Sequence, residues 1–366
     1  MQFSFTEQQT DFRDAVRQML DRECTPADLR VLFDAADGSD GGTSPSAVHT
    51  PRWNALADMG VVGLTIPELH GGLGLTDLDL VLLLEEAGRA ALPEPILETT
   101  ALAAPLLART GFGPEHGTEI GALSNHWLPL IAGGDAVAAV GLPGMPAVPG
   151  AVGADLYILG YAPPDGGPEI HAVPAAEVLV SRTASLDPTR RLGTVDWTPG
   201  PDTLVATGSD AGWALAVLAD RAALGTAAEL VGLTDRLITI AADYAKERKQ
   251  FGRAIGSFQA VKHLLAGAQV KLEFARPVTY AAAWSLTHRT PDASRRASMA
   301  KAYASEAATE AARVALQVHG AIGYTWECDL HLFLKRAWAL APAWGDAAEH
   351  RSRVLASVVD ERAEQA

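Results

Sequence analysis

The sequence predicts an α+β fold in which a small β domain separates an N-terminal helical domain from a C-terminal helical bundle. Three observations predict this order. Apolar residues recur at helical spacing over the first 125 residues, and short apolar runs alternate with Pro- and Gly-rich turns over about 126–208. From residue 209 a long helical pattern resumes. We therefore expect domains at 1–125, 126–208 and 209–366.

Length and composition bound the class of protein. At 366 residues the chain is long enough for two or three packed units, and 48% of its residues are hydrophobic while only 20% are charged. The formal net charge of −15 gives a surface that repels phosphate backbones. The composition therefore predicts no nucleic-acid partner.

Cysteines and the N-terminus predict a cytoplasmic protein. Cys24 and Cys328 are far apart and are expected to be free thiols in a reducing compartment. The first residues contain no basic segment followed by an apolar stretch, so no signal peptide is expected. The uncharged run at 136–154 is interrupted by prolines and glycines, which predicts no membrane span.

The N-terminal domain begins with a capped helix. Thr6 and Gln9 form a capping box, and Phe12, Val16 and Met19 follow at helical spacing, which predicts a helix over 6–22. Further helices are expected near 51–59, from residue 76 onward and over about 95–110, with loops at 33–51 and 66–74.

Strands are expected at the short apolar runs Asp155–Leu159, Glu177–Val180 and Leu192–Trp197. Ser209 is the expected N-cap of the next helix. An apolar residue then recurs every seven positions, which is typical of a long bundle helix: Val217, Leu224, Val231, Ile238 and Ala245. Two more long helices are expected at about 257–287, with a kink at Pro277, and at 293–318.

Two glycine-flanked segments follow the long helices. Arg248 and Phe251 stand at the end of the first, with Gln259 after a turn, and Gln317 and Gly320 stand at the end of the third. Basic residues at a helix C-terminus have a structural explanation in the helix dipole. An arginine, an aromatic ring and an amide beside a close-approach glycine also suit a dinucleotide, since they match its pyrophosphate, adenine and ring edges.

These segments, together with the N-terminal Phe-Thr-Glu-Gln-Gln helix and the glycine loop at 61–74, resemble the acyl-CoA dehydrogenase family over most of the chain. The resemblance implies that Arg248 and Phe251 contact the ADP part of FAD, that Gln259 assists, and that Gln317 and Gly320 touch the pyrophosphate. In this family both segments reach a flavin held by a neighbouring subunit. Members oxidise acyl-CoA thioesters to 2,3-enoyl-CoA and pass electrons to an electron-accepting flavoprotein.

The middle domain and the catalytic base depart from the family pattern. The flavin-contacting Thr-Glu-Pro motif and the tryptophan that shields the flavin are missing, and the run from Val140 to Asp155 stands there instead. The two positions at which the family places a carboxylate base are Trp344 and Ala222. Asp346 is the weak candidate for a displaced base. Asp220 and Glu229 are the other nearby carboxylates, and for all three a cap or an ion pair with Arg221 or Arg351 is the favoured explanation.

Three functions follow from this mixture of matches and departures. The leading hypothesis is a subunit of a heteromeric acyl-CoA dehydrogenase whose homologous partner supplies the rest of the flavin site and the base. The second is a self-sufficient homo-oligomeric dehydrogenase with a displaced carboxylate. The third is a flavin-free protein of the same fold, acting as a scaffold or on another acyl thioester.

Overall fold

A computed structural model describes residues 4–37, 49–108, 119–164 and 166–364 and confirms the α+β class. Its α-helices are α1 (Glu7–Glu23), α2 (Pro26–Asp37), α3 (Pro51–Asp58), α4 (Asp77–Ala90), α5 (Ala104–Leu107), α6 (Glu119–Ala132), α7 (Gly208–Glu247), α8 (Gln259–Thr287), α9 (Ala293–His319), α10 (Leu330–Leu340) and α11 (Ala347–Glu364). A π-helix at Leu97–Ala103 precedes α5. None of the described helices is both long and apolar enough to cross a membrane.

The strands form three small sheets over the described residues. They are β1 (Ala138–Gly141), β2 (Leu156–Tyr161), β3 (Glu169–Pro174), β4 (Leu179–Arg182), β5 (Gly193–Asp196), β6 (Leu204–Thr207), β7 (Lys249–Gln250) and β8 (Arg253–Ala254). The largest sheet has the order β1-β2-β3-β6, with β1 parallel to β2 and the other pairs antiparallel. The three strands expected from the sequence are present as β2, β4 and β5.

The structure predicted from the sequence near the N-terminus is confirmed for α1 and is incomplete for α2. The Thr6 hydroxyl accepts the Gln9 N–H at 3.2 Å and the Gln9 side chain accepts the Thr6 N–H at 2.9 Å, so the capping box is formed. The loop expected at 33–51 is wrong at its start, because α2 continues to Asp37 with Leu29 and Phe33 buried one turn apart. Residues 38–48 of that expected loop lie outside the described residues.

The N-cap expected at Ser209 is also wrong. Strand β6 ends at Thr207 and the chain enters α7 at Gly208, which places Ser209 inside the first turn. Gly208 has a φ of 60°, a conformation that glycine adopts without a steric penalty. Helix α8 continues through Pro277.

The chain divides into two compact units. One consists of Met1–Arg30, Val81–Leu92 and Ala223–Ala366, and the other of Val31–Leu80 and Pro93–Ala222. The three domains expected at 1–125, 126–208 and 209–366 stay a prediction.

In the first unit α4 and α7 cross with their backbones in contact. An ideal Cβ on Gly232 would lie 1.7 Å from the Glu85 carbonyl oxygen, and one on Gly88 would lie 1.9 Å from that of Glu229. Only glycine fits such a crossing, because any side chain would overlap the facing backbone.

Candidate functional site

The first expected cofactor segment forms a short hairpin between α7 and α8. Lys249 pairs with Ala254, and Gln250 with Arg253, which leaves Phe251 and Gly252 as the turn residues. Both have positive φ angles, 52° and 79°, as a type I′ turn requires. Glycine adopts this conformation freely, whereas the Cβ of Phe251 crowds the following carbonyl at a cost of roughly 1–2 kcal/mol.

The Phe251 side chain makes few contacts within its own chain that could offset this strain. It is 92% exposed, and its ring meets Phe258 edge-on with a centroid distance of 6.1 Å. Arg253 lies over the Phe258 ring at 4.1 Å, which supports the base of the hairpin. An exposed aromatic ring on a strained turn favours a binding role for Phe251 toward a group outside its own chain.

Arg248 and Gln259 present polar groups at the base of the same hairpin. The Arg248 N–H donates to the Tyr244 carbonyl at 2.8 Å, and the Arg248 carbonyl accepts the Ile255 N–H at 2.8 Å, while both Arg248 and Gln259 are exposed. An ideal Cβ on Gly256 would lie 2.9 Å from the Ala245 carbonyl oxygen. The hairpin is therefore held tightly against α7, with the guanidinium and the amide facing solvent.

The second expected segment begins at the end of α9. Gln317 is exposed in the last turn, and Gly320 caps the helix with φ 63° and ψ −139°, a region open almost only to glycine. The His319 ring stacks on Tyr244 with a centroid distance of 4.3 Å and an interplanar angle of 16°. Because Tyr244 lies one turn before Arg248, this stack brings the two segments together.

His319 itself is a buried residue of the core. Its Nδ1 lies 2.8 Å from the Ala315 carbonyl, which can only accept, so Nδ1 carries the hydrogen. Burial lowers the pKa of His319 below its ordinary value. The imidazole is therefore neutral near pH 7, and it serves to position Gly320. Its partner Tyr244 has no sequence signal beyond a place in the apolar pattern of α7.

Neither Ala222 nor Trp344, the two positions considered for a catalytic base, carries a side chain that accepts a proton. Ala222 is fully buried in α7. Trp344 has a φ of 58° and lies in the loop between α10 and α11. The Nζ of Lys301, which is 0% exposed, holds this loop by donating to the Ala341 and Gly345 carbonyls at 2.7 and 2.9 Å. The position is therefore rigidly supported and carries an indole.

His350 also supports this loop. It is buried, at 1% exposure, although its sequence neighbours Glu349 and Arg351 are charged. Its Nε2 lies 3.0 Å from the Trp344 carbonyl oxygen, and its Nδ1 meets no hydrogen-bond partner among the described residues. No sequence pattern indicated these roles of Lys301 and His350. The partners of Lys301 lie 40 and 44 positions further along the chain, and the partner of His350 lies in the preceding loop.

The weak candidate base Asp346 is the N-cap of α11. Its Oδ1 accepts the N–H groups of Ala348 and Glu349 at 2.8 and 2.9 Å, and the Glu349 carboxylate accepts the Asp346 N–H at 2.8 Å. Asp346 lies at the rim of an open cleft of about 510 Å³. Arg351 pairs with Glu306 across that cleft. Arg221, the other arginine considered as a partner for the candidate carboxylates, donates to Asp77 at 3.0 Å. The structure therefore gives Asp346 a capping role.

In the run from Val140 to Asp155, Pro143, Gly144 and Pro146 are exposed, whereas the part from Val148 onward packs into the core of the second unit. Val148, Ala151 and Ala154 lie in a buried cluster with Tyr157, whose hydroxyl donates to the Ala151 carbonyl at 2.7 Å. Burial raises the pKa of Tyr157 to about 12.

The backbone of this run is likewise used internally. The N–H of Val148 donates to the Gly193 carbonyl at 2.8 Å, that of Gly150 to Arg190 at 3.0 Å, and that of Val152 to Arg191 at 3.2 Å. These donors are therefore committed to the fold rather than offered to a ligand.

The chemistry of the exposed set fits a dinucleotide. A guanidinium binds pyrophosphate through charge-assisted hydrogen bonds, an aromatic ring stacks on adenine, and a glycine allows close approach. Among the described residues no group of His, Cys, Asp and Glu could hold a metal ion.

Comparisons with known proteins identify one enzyme family that matches most of the chain. The sequence profile of the acyl-CoA dehydrogenase N-terminal domain matches residues 6–135, and that of the C-terminal domain matches residues 210–359. The chain is 33% identical over 355 residues to acyl-CoA dehydrogenase IpdE2 of Mycolicibacterium smegmatis, covering 96% of this chain and 99% of that protein.

Two solved complexes are similar over nearly the whole chain. One is the steroid acyl-CoA dehydrogenase Tcur3481-Tcur3483, as a G363A variant, with 26% identity and a TM-score of 0.82, covering 98% of this chain and 99% of that one. The other is the ChsE4-ChsE5 complex of Mycobacterium tuberculosis, with 25% identity, the same TM-score and the same coverage.

Proposed function

The chain belongs to the acyl-CoA dehydrogenase family, and from this premise we propose that it is one subunit of a heteromeric FAD-dependent acyl-CoA dehydrogenase. The complex would oxidise an acyl-CoA thioester to the 2,3-enoyl-CoA. The observation that carries the proposal is the Phe251 hairpin, which holds an aromatic ring 92% exposed on a strained turn. Such a ring is explained by a ligand that a neighbouring subunit holds.

Five residues of this chain would hold the ADP half of FAD. Arg248 binds the pyrophosphate charge, Phe251 stacks on the adenine, and Gln259 bonds to a ring edge. Gln317 and Gly320 approach the pyrophosphate from the end of α9. A bound FAD would supply the acceptor for the β-hydride of the acyl group. The role of this chain is to bind and orient the cofactor, and the stack of Tyr244 on His319 keeps the two segments in register.

The rest of the flavin site and the base would come from a homologous partner. The loop at 140–155 uses its backbone donors internally, which leaves few groups to receive an isoalloxazine ring. Trp344 and Ala222 accept no proton, and Asp346 is engaged as a helix cap. An α-proton of a thioester is weakly acidic, and a positioned base typically contributes about 10²–10⁴-fold to its removal. The similar complexes with two differently named chains support this division of labour.

The test is to purify the chain alone and together with a homologous subunit that carries the intact Thr-Glu-Pro motif and the carboxylate base, and to record flavin spectra. We expect the chain alone to be colourless and the complex to hold one FAD per heterodimer. Arg248→Ala should lose a charge-assisted contact of about 1.5–3 kcal/mol, which lowers FAD affinity by roughly 10- to 100-fold.

Asp346→Asn is the matched test of the base. Turnover of the complex should stay within a few-fold, since the amide retains an oxygen that can accept the capping N–H groups. A yellow homo-oligomer with one FAD per chain, or a thousandfold loss of turnover in Asp346→Asn with FAD still bound, would show instead that the chain is self-sufficient.

A further inference from the structure

Arg253 is a second arginine of the Phe251 hairpin, and its side chain is supported without being neutralised. Its Cζ lies 4.1 Å from the centroid of the Phe258 ring, and Phe258 is half-buried where α8 begins. Contact through the face of a guanidinium leaves the N–H groups at its edge available to an acceptor. Arg253 is exposed, so these N–H groups are open to a ligand.

Arginine and lysine residues of this hairpin have no acidic partners, which is informative in so acidic a chain. There are 44 Asp and Glu residues against 29 Lys and Arg, so exposed cations have many carboxylates to pair with. Lys246, just before the hairpin, does pair with Asp243 at 2.8 Å. Arg248, Lys249 and Arg253 have no such partner among the described residues. Positive charge that is concentrated on one short hairpin and left unpaired favours an anionic ligand.

Arg248 and Arg253 project from the same face of the hairpin. Side chains of paired strand residues share a face, and successive residues alternate. Gln250 and Arg253 therefore face one side, and Lys249 faces the other. The Arg248 carbonyl accepts the Ile255 N–H at 2.8 Å, which continues the pairing and puts Arg248 two positions before Gln250. Diagonal neighbours of this kind lie about 7–8 Å apart, within reach of one ligand for two long side chains.

The cofactor of the proposed site has more charge than one arginine neutralises. The pyrophosphate of FAD carries one negative charge on each of its two phosphates at neutral pH, whereas the proposed site assigns it a single cation, Arg248. Taking a charged group out of water is unfavourable unless each charge is paired. A second cation on the face that carries Arg248 would complete the pairing. Arg253 lies on that face, and Lys249 does not.

We propose that Arg253 binds the second phosphate of the FAD pyrophosphate while its guanidinium rests on Phe258. Arg248 and Arg253 then hold the pyrophosphate from one face of the hairpin. Phe258 supports the aromatic group as well as the charged one, since the Phe251 ring meets it edge-on with a centroid distance of 6.1 Å. The inference rests on the proposed function, because it requires that the hairpin contact FAD.

The experiment is titration of FAD into the flavin-free complex of this chain with the homologous subunit, at several salt concentrations. Arg253→Met should raise the dissociation constant roughly 10- to 100-fold, as loss of a charge-assisted hydrogen bond does. The dissociation constant should also depend less on salt, because one charge contact is missing. Lys249→Met is the matched control, since it removes the same charge from the opposite face. Its affinity should stay within about two-fold of the wild-type value.

A conservative variant separates the charge from the planar side chain. Arg253→Lys keeps the charge and loses the fork of N–H groups, so it should retain the wild-type salt dependence and recover only part of the affinity. Circular dichroism and thermal unfolding of the isolated chain check the fold of each variant. Both Arg253 and Lys249 are exposed, so we expect the melting temperature to change little in all three variants.

Wild-type FAD affinity in Arg253→Met would overturn the proposal. A weaker affinity with an unchanged salt dependence would also overturn it, because Arg253 would then only support the hairpin. Failure of the proposed function has a different signature. If the complex binds no FAD, or Arg248→Ala binds it normally, both proposals fail. If the chain alone forms a homo-oligomer that holds FAD, only the heteromeric proposal fails, and the same titration on the homo-oligomer tests Arg253.

Discussion

The variant Phe251→Asn separates the backbone strain of the hairpin turn from the contribution of the Phe251 side chain to cofactor binding. Phe251 has a φ of 52° and is 92% exposed, so the wild-type side chain strains the backbone while burying little surface. Asparagine tolerates the left-handed conformation and is favoured at the first position of a type I′ turn. Relief of part of the roughly 1–2 kcal/mol strain should raise the free energy of unfolding of the isolated chain by about 0.5–1 kcal/mol.

The same substitution should weaken cofactor binding. Burial of a phenylalanine side chain contributes about 1.5–3 kcal/mol, and loss of that contact corresponds to roughly 10- to 100-fold in FAD affinity of the complex. The variant is thus expected to be more stable and less able to bind. Opposite signs for the two quantities distinguish a binding residue from a packing residue.

Urea unfolding of the isolated chain and flavin titration of the complex measure the two effects. Arg289→Asn is the control, since Arg289 is exposed after α8 with a φ of 50°. It should gain similar stability and leave FAD affinity unchanged. The reasoning is refuted if Phe251→Asn lowers the free energy of unfolding by more than about 1 kcal/mol, or if flavin affinity stays at the wild-type value.

Two further outcomes concern buried charges. Arg52 donates to both carboxylate oxygens of Glu94 at 2.8 and 2.7 Å in the core, so Arg52→Met should lower the free energy of unfolding by about 3–5 kcal/mol, and Glu94→Leu in addition should restore part of it. Burial lowers the pKa of His350, with Lys301 acting in the same direction. As the pH falls, the unfolded chain therefore takes up this proton before the folded chain does. The contribution of neutral His350 to the free energy of unfolding is complete above about pH 6.5 and is lost as the pH falls below that value. The urea midpoint between pH 7.5 and 5.5 should fall less in His350→Gln, and an equal fall would contradict this.

Several features could be predicted from the sequence because their causes are local. Thr6 and Gln9 cap α1 through atoms three residues apart, and the seven-residue repeat of α7 needs only a helix and an apolar neighbour. The sequence predicted glycine-flanked segments after the first and third long helices, and Gly252 and Gly320 in these segments have positive φ angles. The family resemblance rests on such local signals, and it gave the α+β class correctly.

Tertiary structure decided the features that depend on distant partners. His350 stands between two charged residues in the sequence, yet it is buried and its Nε2 lies 3.0 Å from the Trp344 carbonyl oxygen of the preceding loop. The sequence could not distinguish Asp346 as a base from Asp346 as a cap until its carboxylate was found on two N–H groups. Likewise no pattern announced that Tyr244 stacks on His319 and so joins the two cofactor segments. Residue type and spacing determine what a segment can form, whereas burial and pairing arise only when the packed chain removes water from particular groups and supplies their partners.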